Sequence, residues 1–256
     1  MSHVTTHPLI SLITVTYNAE KTVGATMKSV ASQSFGDYEH IIMDGISNDT
    51  TLNVADNLKT SHTRVFSSSD TGIYDAMNKA LKEARGTYVL FINAGDRFAD
   101  EMTLQRFADR ITDKKADIIY GQTVLADLTG NILGPRHLSA PLTLKTDSFK
   151  DGMVVCHQAF MVKREIAPQY NLKYRFSADY EWCILCCQHA QNIDYLGDEP
   201  VIHYLYEGLT TKNHKTSLLE RFNIMMRYYG VIPTIMRHVK FAVRYMMRRK
   251  QAVNNQ

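Results

Sequence analysis

The chain has 256 residues, 45% of them hydrophobic and 21% charged, the balance of a soluble globular protein with room for a sizeable core. No apolar run approaches the roughly 18 residues that would span a bilayer, and the opening MSHVTTHPLISL lacks the basic segment and apolar stretch of a signal peptide. The formal charge of +3 hides a division: residues 1–220 hold 21 basic and 26 acidic residues, a net −5, whereas the last 36 residues hold eight basic and no acidic ones. A basic tail on an acidic body suits an anionic surface; no nucleic-acid partner is expected. Of the four cysteines, Cys183, Cys186 and Cys187 crowd one predicted helix and Cys156 stands apart. That is no disulfide framework, and a second ligand pair to complete a zinc site is missing, so small buried thiols in a reducing cytosol are expected.

Residues 9–16 (LISLITVT) are a short apolar, β-branched run, predicted as a strand and followed by a helix over about 20–33. Residues 39–43 are a second strand, and Asn48-Asp49-Thr50-Thr51 supplies good capping chemistry for a second helix. A third strand at 63–67 precedes helical apolar spacing over 73–84, and 88–92 (YVLFI) is the fourth strand. Alternation of this kind predicts a mostly parallel sheet covered on both faces. Further on, strands are predicted at 117–125, 154–163, 192–196 and 200–206, with helices at 178–188, 215–229 and 234–250.

Each of the first four strands ends in polar residues: Thr16-Tyr17-Asn18, then Asp44-Gly45, then Asp70 leading to Asp75 and Asn78, then Asn93-Ala94-Gly95-Asp96. Any one could be a turn or a cap, but all four fall where a parallel sheet binds its ligands. Neither G-x-G-x-x-G nor the phosphate loop G-x-x-x-x-G-K-[ST] occurs, which argues against a dinucleotide or the usual ATP site. Carboxylates and amides can accept hydrogen bonds from ribose and base. A diphosphate then calls for positive charge, which an oxygen-ligated Mg²⁺ or Mn²⁺ beside Asp96 would supply.

The blocks SLITVTYNAE, IIMDGISNDTT, SSDTGIYDAMNKAL and RGTYVLFINAGD, in this order and spacing, resemble the nucleotide-sugar-binding half of the family 2 glycosyltransferases, and within them bacterial enzymes of polysaccharide, O-antigen and colanic-acid type. The resemblance implies a GT-A fold, an α/β architecture with a Rossmann-like, mostly parallel central sheet flanked by helices, here with a C-terminal helical extension. It is dense over residues 8–100 and thins afterwards. It places Thr16, Asn18 and Asp44 at base and ribose, and Asp70, Asp75 and Asn78 along the nucleotide pocket, with Tyr17 counted among the nucleotide-sugar-binding residues. Asn93, Ala94, Gly95 and Asp96 fall on the family's D-x-D-like metal motif, where only Asp96 remains as a carboxylate.

The same resemblance puts the catalytic base in SADYEW, with Asp179 on the base position, Ala178 replacing the usual preceding acid, and Glu181 as competitor. His157-Gln158 interrupts an apolar run and is expected to wall the sugar and acceptor pocket; a hydrogen-bonded core histidine is the alternative. His203 is a further candidate metal ligand, and residues 207–211 (EGLTT) a flap. The Q-x-x-R-W motif of processive synthases is missing and Trp182 is the one tryptophan, so transfer of a single sugar is expected.

The expected protein is thus an inverting, Mg²⁺- or Mn²⁺-dependent hexosyl- or N-acetylhexosaminyltransferase. It would act in bacterial surface polysaccharide assembly, from a nucleoside-diphosphate sugar to a lipid-linked glycan. A GT-A domain at 1–212 would comprise a nucleotide-sugar half (8–100) and an acceptor half (101–212), followed by basic amphipathic helices (213–256). In the last of these, Ile235, Val239, Ala242 and Met246 fall on one face and Arg237, Lys240, Arg244 and Arg248 on the other. That pattern predicts a cytoplasmic protein peripheral on the anionic inner face of the membrane; the alternative is a helix packed on the enzyme's own core. A catalytically silent nucleotide-sugar-binding protein and an NAD-linked oxidoreductase are the rival functions.

Overall fold

A computed structural model describes residues 7–206 and 214–241. Strands β1 (Ile10–Thr16), β2 (Tyr38–Asp44), β3 (Thr63–Ser67) and β4 (Tyr88–Phe91) alternate with helices α1 (Val23–Ala31), α2 (Thr51–Leu58) and α3 (Ile73–Glu83). The four strands run parallel in the order β3-β2-β1-β4. Side chains alternate between two cores: Ile13, Val15, Val89 and Phe91 enter one, and Ile10, Leu12, Tyr88 and Leu90 the other. Burial on both faces is why these strands read as unbroken apolar runs.

The second half adds β5 (Arg97–Phe98), α4 (Thr103–Lys114), β6 (Ile118–Ala126), β7 (Ile132–Pro135), β8 (Phe160–Lys163), α5 (Ala178–His189), β9 (Ile193–Leu205) and α6 (His214–Tyr229). The sheet continues from β4 as β8-β6-β9-β5, with β7 on β6. Here β8 is antiparallel to both neighbours, while β6 and β9 are parallel. Parallel pairing therefore dominates the first half and mixed pairing the second. Because β8 runs against β4, the residues just before β8 lie at the same edge as the ends of β1 to β4.

Three differences from the sequence-based expectation concern this half. Only residues 160–163 of the predicted 154–163 strand are extended, and His157–Ala159 is a 3₁₀ turn. An apolar run records burial, and burial alone does not distinguish a strand from a buried turn. The strands predicted at 192–196 and 200–206 are one strand, irregular where it passes Gly197 (φ +114°) and Pro200. Helix α4, built on buried Leu104, Phe107, Ala108 and Ile111, and the short β5 and β7 are not among the elements expected from the sequence. All four cysteines are buried and free; burial pushes Cys156 up to about 11 and Cys187 to about 12, so they stay protonated and inert.

A last helix occupies residues 231–241. Thr234 is buried, Arg237 lies 2.9 Å from Asp151, and His238 packs edge-on against Phe222. Ile232, Ile235, Met236 and Val239 point to solvent, Ile232 and Met236 being 74% and 68% exposed. The polar side of this helix thus faces the body and its apolar side faces out. The predicted flap at 207–211 and the positions Ala242, Arg244, Met246 and Arg248 lie outside the described residues.

Candidate active site

The C-terminal ends of β1 to β4 meet at one edge of the sheet, as the polar strand ends predicted. Not all of those residues remain free for a ligand. Asp44 is fully buried and its carboxylate accepts from Thr16 Oγ1, the Ser47 hydroxyl and N–H, and Ser67 Oγ, tying three strand ends together. Asn18 sits at φ +49°; its N–H donates to Ser47 Oγ (2.9 Å) and its Oδ1 accepts from Asn48 N–H (2.9 Å). Asn78 makes a two-way bond with the backbone of Tyr170, donating to its oxygen (2.9 Å) and accepting from its N–H (2.7 Å). Asp75 accepts from Thr71 N–H (3.0 Å) and pairs with Lys79 (3.1 Å). Asp44 and Asn78 therefore spend their polar atoms on shaping the pocket, while both contacts of Asp75 fall on Oδ2.

Asp70 and Tyr17 are better placed for a nucleotide. A β-carbon on Gly45 would collide with the Asp70 carboxylate and stand 3.5 Å from the Tyr17 ring, so the missing side chain brings the two together. Tyr17 is exposed, and Asp70 accepts one N–H, from Gly72 (2.9 Å). An exposed aromatic ring beside a carboxylate suits stacking on a base and binding of a ribose hydroxyl.

The turn after β4 is held by Thr26 of α1, whose hydroxyl accepts from Gly95 N–H (2.8 Å) and donates to the Asp96 backbone carbonyl (2.8 Å). Gly95 needs its φ of +108° and its lack of side chain, because a β-carbon would strike Leu205; Ala94 packs under α1 and α2. Asp96 Oδ2 accepts from Gln158 Nε2 (2.9 Å) and Oδ1 from Leu205 N–H (2.8 Å). Burial pushes the carboxyl up to about 6, against those hydrogen bonds and the charge of His157. Asn93 Oδ1 is buried without a partner among the described residues.

A second carboxylate cluster is built on the first turn of α5. Asp179 Oδ1 accepts from Tyr74 OH (3.0 Å), and Oδ2 lies 3.4 Å from His157 Nδ1. Burial raises the Asp179 carboxyl, but the hydrogen bond and charge of His157, the charge of Arg221 and the Tyr74 hydroxyl together hold it below its ordinary value. Tyr74 stacks on Tyr170, which stacks on Trp182. Glu181, the competitor, is buried and accepts from Asn171 (2.9 Å), Arg227 (3.1 Å) and Tyr228 (3.0 Å). It joins α5 to α6, with both oxygens engaged in structural hydrogen bonds.

His157 and Gln158, adjacent in sequence, thus reach different carboxylates, Asp179 and Asp96. His203 stands opposite Arg97 in the β5–β9 pairing. Burial and the Arg97 charge lower its pKa, and the charges acting on it are those of Arg97 and Asp100. No group of three acidic, histidine or cysteine ligands forms among the described residues. Thr26, Ser47, Ser67 and Tyr74 are site residues that sequence reasoning missed. Tyr74 lies inside the quoted block SSDTGIYDAMNKAL, and Thr26 is a buried hydroxyl on an otherwise apolar helix face.

The model of the Glycosyl transferase family 2 matches residues 11–170. A PGL/p-HBAD biosynthesis glycosyltransferase of Mycobacterium bovis is 33% identical over 187 residues, covering 70% of each chain. Among solved structures, S. aureus TarS 1-349 in complex with UDP-GlcNAc superposes with a TM-score of 0.68 at 20% identity, over 84% of this chain and 64% of that one. The Pyrobaculum calidifontis mannosyltransferase PcManGT in complex with GDP-Man and Mn²⁺ gives 0.62 at 14%, over 92% and 70%. The strand-end pocket, the curled mixed sheet and these similarities agree: the chain is a member of glycosyltransferase family 2 with the GT-A fold.

Proposed function

We propose that this chain transfers one sugar, with inversion, from a nucleoside diphosphate to a hydroxyl of a lipid-linked glycan in bacterial polysaccharide assembly. The observation that carries the reading is the linking of two carboxylates, buried Asp96 and part-buried Asp179, through the consecutive residues Gln158 and His157, attached to one each. Asp179 Oδ2 takes the proton of the acceptor hydroxyl as its oxygen attacks the anomeric carbon. The bond from that carbon to the diphosphate breaks, and its electron pair leaves with the diphosphate oxygen. Being held below its ordinary pKa, Asp179 is ionised at neutral pH and ready to accept that proton.

The residues around Asp96 fit a divalent cation. Asn93 Oδ1 is a buried acceptor with no partner among the described residues, and each Asp96 oxygen takes one hydrogen bond and keeps a lone pair. Asp96 and Asn93 would hold Mg²⁺ or Mn²⁺, with donor phosphates as the other ligands, an oxygen set that both ions accept. When bound, the ion supplies positive charge to the departing diphosphate. The ligands of the two structural neighbours, UDP-GlcNAc in one and GDP-Man with Mn²⁺ in the other, support this donor class. In a thermal-shift panel of nucleotides and nucleotide sugars, one nucleoside diphosphate and its sugar are expected to raise the melting temperature, more so with Mn²⁺. Stabilisation by NAD instead, or by none of the panel, would overturn the reading.

The acceptor reading rests on the last helix. Its outward row Ile232, Ile235, Met236 and Val239 offers apolar area to a bilayer interface, and basic residues of the tail that reach the surface add attraction to anionic headgroups of about 1 kcal/mol each; Arg227 and Arg237, paired with Glu181 and Asp151, are not among them. The full chain is expected to sediment with phosphatidylglycerol-containing vesicles at low salt. The double variant Ile235→Asp, Val239→Asp should stay in the supernatant while still binding donor. Equal sedimentation of both proteins, or of neither, removes the membrane from the proposal.

A further inference from the structure

His157 is 6% exposed, yet one ring nitrogen, Nε2, is buried with no partner among the described residues. Leaving a buried polar atom unpaired is destabilising, so a phenyl ring or an aliphatic chain would serve the core better. The ring's other nitrogen, Nδ1, faces Asp179 Oδ2 at 3.4 Å, and Phe91 packs against the ring at 6.4 Å between centroids. The 3₁₀ turn at His157–Ala159 fixes the backbone, and Gln158 anchors that turn to Asp96. The imidazole is therefore held on three sides, and its polar contact runs to one carboxylate oxygen.

That oxygen is the one that matters. Tyr74 OH and the Tyr180 N–H both donate to Oδ1 of Asp179, which leaves Oδ2 as the atom able to take a proton. We propose that His157 is a positioning residue for the transfer reaction: its Nδ1–H fixes the plane of the Asp179 carboxylate so that the free lone pair of Oδ2 is presented to the acceptor hydroxyl. This rests on Asp179 being the base. Hydrogen bonds of this kind are often long before substrate is bound and tighten in the reacting complex. An aligned base is worth up to about a hundredfold in rate.

The histidine also tunes the carboxylate. The charged or titratable groups that act on Asp179 are His157, Tyr74 from α3 and Arg221 from α6, and Tyr170, Cys156 and Cys183 lie close enough to feel its charge. Burial raises the carboxyl and His157 is foremost among the groups that lower it. Removing the imidazole leaves burial less opposed, so the acidic limb of the rate profile moves to higher pH.

The test measures kcat, donor KM and the pH profile for His157→Ala, His157→Asn, His157→Gln and, separately, Asp179→Asn. The amide N–H of Asn falls near the Nδ1 position and that of Gln near Nε2. His157→Ala is expected to lose about tenfold to a hundredfold in kcat with donor KM within about threefold, and its acidic limb should shift upward. His157→Asn should recover much of the loss, and His157→Gln should not. Rescue by Gln rather than Asn, a full-rate Ala variant, or an unshifted limb overturns the positioning role. If Ala fails to fold, the Asn and Gln pair decides alone. An active Asp179→Asn would instead remove the base reading on which the proposal stands, whereas an inactive Asp179→Asn beside a full-rate His157→Ala removes the positioning role and leaves the base in place.

Discussion

Replacing Asp96 with Asn is expected to reduce sugar transfer by at least about a hundredfold, the scale of losing a principal electrostatic stabiliser, while the folded protein becomes more stable at neutral pH. Asp96 is 3% exposed, and burial raises its carboxyl to about 6, above the ordinary carboxylate value. A group whose pKa is higher folded than unfolded gives stability that is fully present below the unfolded pKa and lost as pH rises through the folded one. At pH 7.5 the ionised side chain therefore costs on the order of 2–3 kcal/mol, and at pH 4 almost nothing. Asn carries no charge to bury and can still accept from Leu205 N–H, though its amide would confront the Gln158 donor. Melting curves at pH 5 and pH 7.5 should show a stability gain that is larger at the higher pH, and turnover assays with and without EDTA should show the loss. Full turnover by Asp96→Asn, or by the wild type in EDTA, would sink the assignment.

The second large effect is at the other carboxylate. Asp179→Asn should lower kcat by about a hundredfold or more, the usual worth of a general base, with donor affinity unchanged because the nucleotide edge is untouched. Glu181→Gln provides the contrast. Its three donors, Asn171, Arg227 and Tyr228, would lose a buried charge. That costs about 1–3 kcal/mol of stability but leaves the chemistry in place. Should Glu181→Gln be the dead enzyme and Asp179→Asn the active one, the two roles are exchanged.

The parallel half of the fold was legible because β1 and β4 are apolar runs buried on both faces and each of the four strands is stopped by polar residues. Which of those polar residues meet a ligand was not legible. Asp44 and Asn78 look as free as Asp70 in the sequence, but their partners are the Ser67 hydroxyl and the Tyr170 backbone, brought close only by folding. An acceptor filled by the chain and one left for a substrate carry the same letter. The same limit applies to the last helix. Its period was evident, yet the Arg237 side turned inward to Asp151 and the apolar side outward, because helical spacing defines faces without saying what each one meets.

The turn before β8 has a consequence for how the chain tolerates insertions. His157 and Gln158 leave the backbone in different directions, one to each carboxylate, and β8 fixes them in place through its pairing of Val162 with Val89 and Lys163 with Tyr88. Slippage of β8 by one residue would turn each of its side chains to the opposite face and unhook both carboxylates together. The antiparallel β4–β8 seam is therefore where length variation is least tolerable. Length can change beyond that seam while the spacing of Asp96 and Asp179, set through Gln158 and His157, stays locked.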